Sequence, residues 1–187
     1  MEFILSLVFH NDNLFLVGLM GAGKTTIGRA LAKKLSLKFI DADHELEARL
    51  GVSIAIIFEH EGEIGFRRRE AELIQELTAE QKIILATGGG AILNENNRNC
   101  LNANGTVIYL HATVNDLWLR TRYAKHRPLL QCSEPRKILE KLYKIRDPLY
   151  RQCAHLIVNT GKPSVTKLTD KILCDVQNYK ISQINHQ

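Results

Sequence analysis

The sequence predicts an open α/β fold, a five-stranded parallel sheet covered on both faces by helices. Three observations carry that prediction. Short apolar runs alternate five times with segments of helical spacing along the 187 residues. The runs are four or five residues long and nearly continuous, as strands buried on both faces require. The first three runs are followed by glycine-rich or acidic loops, at the strand ends where such sheets bind ligands.

The elements follow in chain order. Asn13 to Val17 is a buried strand ending at Gly18. Ile27, Ala30, Leu31, Lys34 and Leu35 recur at helical spacing, so Thr26 to Leu35 is a helix. Leu37 to Ile40 is the second strand, stopped by Asp41. Asp43 caps a helix to Leu50, and Gly51 ends it. Ser53 starts another helix, and a longer one runs from Glu63 to Glu80. Lys82 to Ala86 is the third strand, closed by Gly88-Gly89-Gly90. Asn94 to Ala103 is helical, and Thr106 to Leu110 is the fourth strand. Thr113 caps a helix to Tyr123, and a polar, basic segment from Ala124 to Glu134 follows. Helix returns from Pro135 to Tyr150, His155 to Val158 is the fifth strand, and Val165 to Tyr179 is the last helix. The polar ending, Lys180 to Gln187, is expected to fray.

Composition narrows the class. Apolar residues are 45% and charged residues 24%, ordinary for a soluble globular chain and against disorder. The length suits one domain spanning 1–187. The longest apolar run, Phe3 to Phe9 with Ser6 inside it, is too short to span a bilayer. It also lacks the basic start and cleavage site of a signal peptide, so the chain is expected to be cytoplasmic, with no membrane partner. Cys100, Cys132, Cys153 and Cys174 form no CxxC pair; they are expected to be free thiols, which excludes a zinc ribbon or redox motif. The net charge of +5 is unevenly spread. Asp41 to Glu80 holds 11 acids and 4 bases, whereas Asp116 to Arg151 holds 10 bases and 4 acids. A local basic block points to an anionic partner or to a solvated helix face.

Gly18-Leu-Met-Gly-Ala-Gly23-Lys24-Thr25 decides between them. It fits G-x-x-x-x-G-K-[ST], a phosphate cradle between strand and helix. Chance produces this pattern in such a chain less than about 1% of the time. Backbone N–H groups from Gly21, Ala22 and Gly23 through Thr26 form a nest for anionic oxygens. The helix N-terminus adds positive charge. Lys24 reaches the β/γ-phosphates and the Thr25 hydroxyl ligates Mg²⁺. The loop says that phosphates bind, not what becomes of them. No N/TKxD base reader of a GTPase is present, and the third strand ends in Ala86-Thr87-Gly88 without an acid.

The neighbouring loops suggest a second ligand. Asp41-Ala-Asp43 places two carboxylates on alternating sides of an extended segment at the sheet edge. One faces the Mg²⁺ shell and the other a substrate. Gly65-Phe66-Arg67-Arg68-Arg69-Glu70 offers arginines for a carboxylate. Helical spacing lets only some of them face a cleft, so Arg68 and Arg69 are read as surface ion pairs with Glu63, Glu70 and Glu72. Gly88-Gly89-Gly90 offers bare N–H groups.

Together these residues resemble the shikimate kinase family, from Leu14 to Lys180. The carriers are Leu16-Val-Gly-Leu-Met-Gly-Ala-Gly-Lys-Thr-Thr-Ile-Gly28, Asp41-Ala-Asp43, Gly65-Phe-Arg67 with Glu70, Ala86-Thr-Gly-Gly-Gly90, Arg127-Pro-Leu-Leu130 and Arg146-Asp-Pro-Leu-Tyr150. The resemblance implies a P-loop kinase fold of the nucleoside-monophosphate-kinase type, with a mobile lid over Tyr123 to Ser133. It implies phosphoryl transfer from MgATP to the 3-hydroxyl of shikimate, with Lys24, Asp43 and Arg127 as the catalytic set. Asp43 would orient the acceptor hydroxyl and either position it or take its proton. Arg67 and Arg146 would clamp the carboxylate, Gly88, Gly89 and Gly90 would supply N–H groups, and Phe58 and Phe66 would wall the pocket. Asp41 would hold Mg²⁺ through water. Arg127 would reach ATP and the transferring phosphoryl; Arg120 would lie on the adenine, with Lys162 and Pro163 nearby. The family starts close to the first strand, so Met1 to Asp12 is extra, either an added strand or a tag. A monomer with no nucleic-acid partner is expected.

Rival readings are a kinase for another small substrate, such as gluconate or a nucleoside monophosphate, and a non-catalytic ligand sensor. The paired arginines disfavour a nucleotide acceptor, and a sensor would have lost Lys24, Asp43 or Arg127. A nucleic-acid binder predicts aromatics interleaved with the bases. Trp118, Tyr123, Tyr143 and Tyr150 show no such period.

Overall fold

Four consecutive apolar residues, Leu14–Val17, form strand β1, and none is more than 1% exposed. A strand with one wet face would leave alternate residues in water. These leave none, so the sheet is covered on both faces. Strands β3 (Ile83–Ala86) and β4 (Thr106–His111, apart from half-buried His111) are buried in the same way. Strands β2 (Lys38–Asp41) and β5 (Leu156–Asn159) are more exposed, and they are the sheet's edges. The order is β2-β3-β1-β4-β5 with every neighbouring pair parallel, which is the predicted fold. The computed structural model describes residues 12–122, 134–161 and 163–185.

Seven helices complete the described residues: α1 (Lys24–Leu35), α2 (Ala42–Leu50), α3 (Ile54–Ala79), α4 (Glu95–Asn104), α5 (Val114–Thr121), α6 (Pro135–Cys153) and α7 (Val165–Ile184). Helix α1 packs against α7 and beneath β1, β2 and β3, while α4 and α6 pack on β4 and α3 packs on α4. Parallel strands bring all their carboxyl ends to one edge. The register pairs both Leu16 and Asp41 with Ala86, and Val17 with Tyr109. The loops after β1, β2 and β3 therefore leave the sheet side by side.

Most boundaries fall within two residues of the sequence reading, and the differences have local causes. Asp43 is not a cap. Asp41 occupies the N-cap position, and Asp43 lies in the first turn of α2. The strand's pleat ends at Asp41, so the two carboxylates are separated by a strand-to-helix turn and not by strand alternation. The helices expected from Ser53 and Glu63 are joined in α3, bent where Gly62 adopts φ 66°, ψ −173°. Arg69 grips Glu61 across that bend with three hydrogen bonds of 2.7–3.1 Å, so its partner is Glu61 and not the acids expected. A 3₁₀ turn at Ala91–Leu93 was not anticipated. The ending does not fray at Lys180: α7 continues to Ile184, and Lys180 forms an ion pair with Asp12. The expected lid at 123–133, the N-terminal segment apart from Asp12, and Lys162 lie outside the described residues.

Asn13 ties the start of the sheet together. Its side chain is buried; Nδ2 donates to the carbonyls of Glu80 (2.6 Å) and Asn104 (3.2 Å), and Oδ1 accepts from the N–H of Ile83 (3.1 Å). It thus joins the segments after α3 and α4 to the start of β3. Truncation would leave the buried Ile83 N–H without a partner, at about 1–3 kcal/mol, while the part-buried Glu80 and Asn104 carbonyls can turn to water. Asn13→Ala is therefore expected to lower unfolding stability by about 2–3 kcal/mol. Urea denaturation checks this; a loss below 0.5 kcal/mol would contradict the assigned role.

Candidate active site

The phosphate loop starts where β1 runs out. Gly23 takes the left-handed conformation (φ 99°, ψ 15°), turning the chain from loop to helix in one residue. Side chains resist that conformation, which explains glycine at this position. Helix α1 consequently begins at Lys24, before the expected Thr26. Its first N–H groups lack carbonyl partners within the helix and carry the positive end of its dipole. Lys24 folds back over the loop, Nζ donating to the carbonyls of Gly18 (2.7 Å) and Leu19 (3.2 Å). Ala22 N–H closes the loop onto Leu19 at 3.1 Å. Gly21 and Ala22 lie within the loop, and Thr26 is exposed on the first turn of α1.

Thr25 Oγ1 donates to Asp41 Oδ2 at 2.7 Å, linking α1 to the end of β2. A hydroxyl and a carboxylate beside a phosphate nest are hard oxygen donors, and Mg²⁺ prefers such a sparse set completed by water and phosphate oxygens. Among the described residues no cluster of three or more His, Cys, Asp or Glu suits an all-protein metal site. The donor set therefore fits a nucleotide-borne cation.

A second cluster adjoins the phosphate loop: a Cβ on Gly89 would lie 3.6 Å from the Gly18 carbonyl oxygen and the Met20 nitrogen. Arg67, on α3, donates from Nη1 to Glu70 Oε2 (2.7 Å) and from Nη2 to Glu63 Oε1 (3.2 Å). Its guanidinium lies against Gly90, where an added Cβ would come within 2.3 Å of both terminal nitrogens. Arg146, buried on α6, donates to the Gly89 carbonyl at 3.0 Å, and the Tyr150 hydroxyl donates to the same oxygen at 2.5 Å. The Gly88–Gly90 turn is thus held from α6. A Cβ on Gly88 would lie 2.6 Å from Glu70 Oε1 and 2.7 Å from Asp43 Oδ1. Phe66 is buried and meets the exposed Phe58 ring in a tilted contact, centroids 4.7 Å apart. The structure thus gathers Asp43, Arg67, Gly88, Gly89, Gly90 and Arg146 around one turn, with Phe58 and Phe66 on the Arg67 helix.

Arg120, from α5, spans the other side of the phosphate loop. It donates to the Gly21 carbonyl (3.3 Å) and to the Thr160 carbonyl (2.5 Å) and hydroxyl (3.1 Å). It therefore joins the loop to the segment after β5, which carries the exposed Pro163. Arg127 and Lys162, expected near the nucleotide, lie outside the described residues.

Burial sets the electrostatics. Asp43's carboxyl is held above its ordinary value, first by desolvation, with Lys24 opposing and Asp41 adding to the rise. That mutual influence places Asp43 in the field of both the phosphate lysine and the acid at the end of β2. Glu70 is raised, mainly by burial, against the pull of Arg67. Arg146 is pushed down by burial, to which the like charge of Arg67 adds. Burial also works against Arg67, but Glu70 and Glu63 outweigh it and leave Arg67 firmly charged. Two guanidiniums that repel one another in a partly dry pocket make an anion site.

Sequence reasoning gave Tyr150 no site role and read Glu70 as a surface partner of Arg68 and Arg69, whereas Glu70 is buried and pairs with Arg67. The i, i+3 spacing of Arg67 and Glu70 was a visible signal. Tyr150's bond to a residue 61 positions away was not.

Comparison with known proteins agrees with this geometry. A family model described as shikimate kinase matches residues 20–177. The shikimate kinase of Ralstonia nicotianae is 58% identical over 166 residues, covering 89% of this chain and 87% of its own. That of Bordetella pertussis is 52% identical over 171 residues, covering 91% and 81%. The solved shikimate kinase from Acinetobacter baumannii in complex with shikimate has a TM-score of 0.89 at 46% identity, covering 93% of this chain and 97% of that one. A gluconokinase from Sinorhizobium meliloti, at a TM-score of 0.58 and 13% identity, is similar in fold alone.

The Arg67–Glu70 pair yields a pH-dependent prediction. Arg67→Ala would strand a buried carboxylate at neutral pH, at a cost of about 2–3 kcal/mol for this partly exposed pair. Removing the cation raises Glu70's proton affinity further, and a protonated Glu70 no longer needs it. The deficit should therefore shrink as pH falls from 7.5 to 5.5. Paired urea titrations test this; an equal deficit at both pH values would contradict it.

Proposed function

The chain belongs to the shikimate kinase family, and from that membership and the pocket geometry we infer how its residues move the γ-phosphoryl of ATP to the 3-hydroxyl of shikimate. The observation that carries the reading is the pair of adjoining sites: a phosphate cradle ending in Lys24, and an arginine-lined turn reached by Asp43. Phosphoryl transfer of this kind depends on positioning and charge neutralisation more than on covalent catalysis.

In this reading the N–H groups of Gly21, Ala22, Gly23, Lys24, Thr25 and Thr26 hold the phosphates, and Lys24 turns from its loop carbonyls to the β/γ oxygens. Arg67 and Arg146 grip the acceptor's carboxylate; Gly88, Gly89 and Gly90 offer backbone donors; Phe58 and Phe66 cover the ring. Anchored by its acid, the acceptor presents a hydroxyl to Asp43, which accepts its hydrogen bond and orients it toward the phosphate. Thr25 and Asp41, the latter through water, would hold Mg²⁺, which when bound neutralises charge on the phosphate oxygens. Arg120 and Pro163 flank the adenine side. Arg127, Lys162 and a lid at 123–133 enter on sequence alone, completing the neutralisation and excluding water. A cytoplasmic monomer working without nucleic acid or membrane is part of the same reading. No described helix is long and apolar enough to cross a membrane.

ADP release measured with shikimate, and with gluconate as control, tests the assignment. Asp43→Asn is expected to lose at least 100-fold in kcat, since an amide neither accepts the proton nor orients the hydroxyl as a carboxylate does (about 10²–10⁴ for such a group). ATP binding should survive. Wild-type turnover in this variant would refute the role.

Tyr150→Phe leaves the ring and removes one of the two donors on the Gly89 carbonyl. The lost hydrogen bond corresponds to about 1 kcal/mol, or roughly fivefold. The KM for shikimate should rise by roughly that factor, with the KM for ATP unchanged. Steady-state kinetics with each substrate varied decides it, and an equal rise in both constants would count against the turn as an acceptor element.

A further inference from the structure

Among the described residues, two buried side-chain polar atoms lack a hydrogen-bond partner, and both lie at this pocket: Glu70 Oε1 and Arg146 Nε. Glu70 is only 3% exposed. Its Oε2 is held by Arg67, while Oε1 and Asp43 Oδ1 both crowd Gly88, where an added Cβ would lie 2.6 Å from the first and 2.7 Å from the second. A buried carboxylate with an unfilled oxygen is costly. The charged groups around it are Arg67 and Glu63 from its own helix, Asp43 from α2, and Arg146 from α6, with the Tyr150 hydroxyl beside the last.

The charges of Arg67, Arg146, Asp43 and Glu70 balance while the pocket is empty. The proposed acceptor carries a carboxylate, and the guanidiniums that would grip it are those that keep Glu70 ionised. Its arrival adds a third negative charge and diverts Arg67 from Glu70. Both effects raise Glu70's proton affinity. Resting on the function proposed above, we propose that Glu70 is a proton-linked positioning residue: entry of the acid draws one proton from solvent onto Glu70 Oε1, which loosens its hold on Arg67 Nη1 and lets that nitrogen turn to the substrate carboxylate. The proton comes from buffer and binds a lone pair of that oxygen. No covalent bond of the substrate changes, and the proton returns to solvent when the pocket empties.

The sign follows. Burial already holds Glu70 above the glutamate range in the empty pocket, and the bound acid lifts it further. Between those two values binding takes up a proton, so affinity for the acid falls as pH rises. Well below or above that window there is no uptake.

Isothermal titration of shikimate into the protein, in two buffers of different ionisation enthalpy at several pH values from 6 to 8, reads the proton directly. The wild type is expected to show buffer-dependent heat corresponding to proton uptake, with affinity falling several-fold per pH unit where uptake is greatest. Glu70→Gln, permanently neutral, should bind with buffer-independent heat and pH-independent affinity. Buffer-independent heat in the wild type would overturn the proposal. So would uptake that persists in Glu70→Gln, which would assign the proton elsewhere. If that variant does not fold, carbon NMR of glutamate-labelled wild type replaces it. A Glu70 carboxyl that moves toward the protonated shift on adding shikimate supports the linkage, and one that stays ionised or stays protonated refutes it. Absence of shikimate binding at every pH would instead sink the underlying functional reading.

Discussion

A guanidinium buried with one nitrogen unsatisfied is expensive, and Arg146 is such a group. Nothing in the fold's own stability calls for it, because the covering of β1, β3 and β4 is apolar. The charge must survive burial, and its proximity to Arg67 makes matters worse. The arrangement is tolerable because α6 anchors Arg146 and Tyr150 on a single carbonyl, that of Gly89. That carbonyl fixes the turn after β3, and the turn fixes the space between Asp43, Glu70 and Arg67. The empty site thus keeps two like-charged guanidiniums near one another, and in the proposed function that pair is what the acceptor's carboxylate would meet.

The same logic explains why two anionic ligands can lie side by side. Phosphates and a carboxylate repel, and a water-filled cleft would screen them at the cost of orientation. In the proposed function each anion has its own cations: the α1 N-terminus and Lys24 on one side, Arg67 from α3 and Arg146 from α6 on the other. Asp43 stands between them and feels both Lys24 and Asp41. Its raised proton affinity suits a group that must accept a hydrogen bond in a site already rich in negative charge.

Much of this was legible in the sequence, where the physics is local. Continuous apolar runs marked β1, β3 and β4 because doubly buried strands need no alternation. The phosphate loop was legible because its chemistry fits in eight consecutive residues. Asp43 was misread as a cap because a sequence does not show that the strand ends one residue later, at Asp41, which takes the cap position. The polar ending was misread as frayed because the ion pair between Lys180 and Asp12 joins residues 168 apart. Glu70 was visible as a partner for an arginine by spacing alone, but its burial and its vacant oxygen depend on Gly88, Asp43 and α6 closing around it.

Fold similarity does not select the acceptor. The gluconokinase neighbour is similar in fold at 13% identity, so the fold by itself names no acceptor. Selection must come from the side chains that line the site. In this chain that is a pair of arginines within mutual repulsion, a glycine turn too tight for any side chain at positions 88 and 90, and a buried acid poised beside them. A hydroxyl-only ligand would bring no charge to set against the two guanidiniums, whereas a carboxylate would pair with them directly. In the function proposed above, a monocarboxylate with a hydroxyl reaching Asp43 meets the arginines and the aspartate together, so charge as well as shape would select the acceptor.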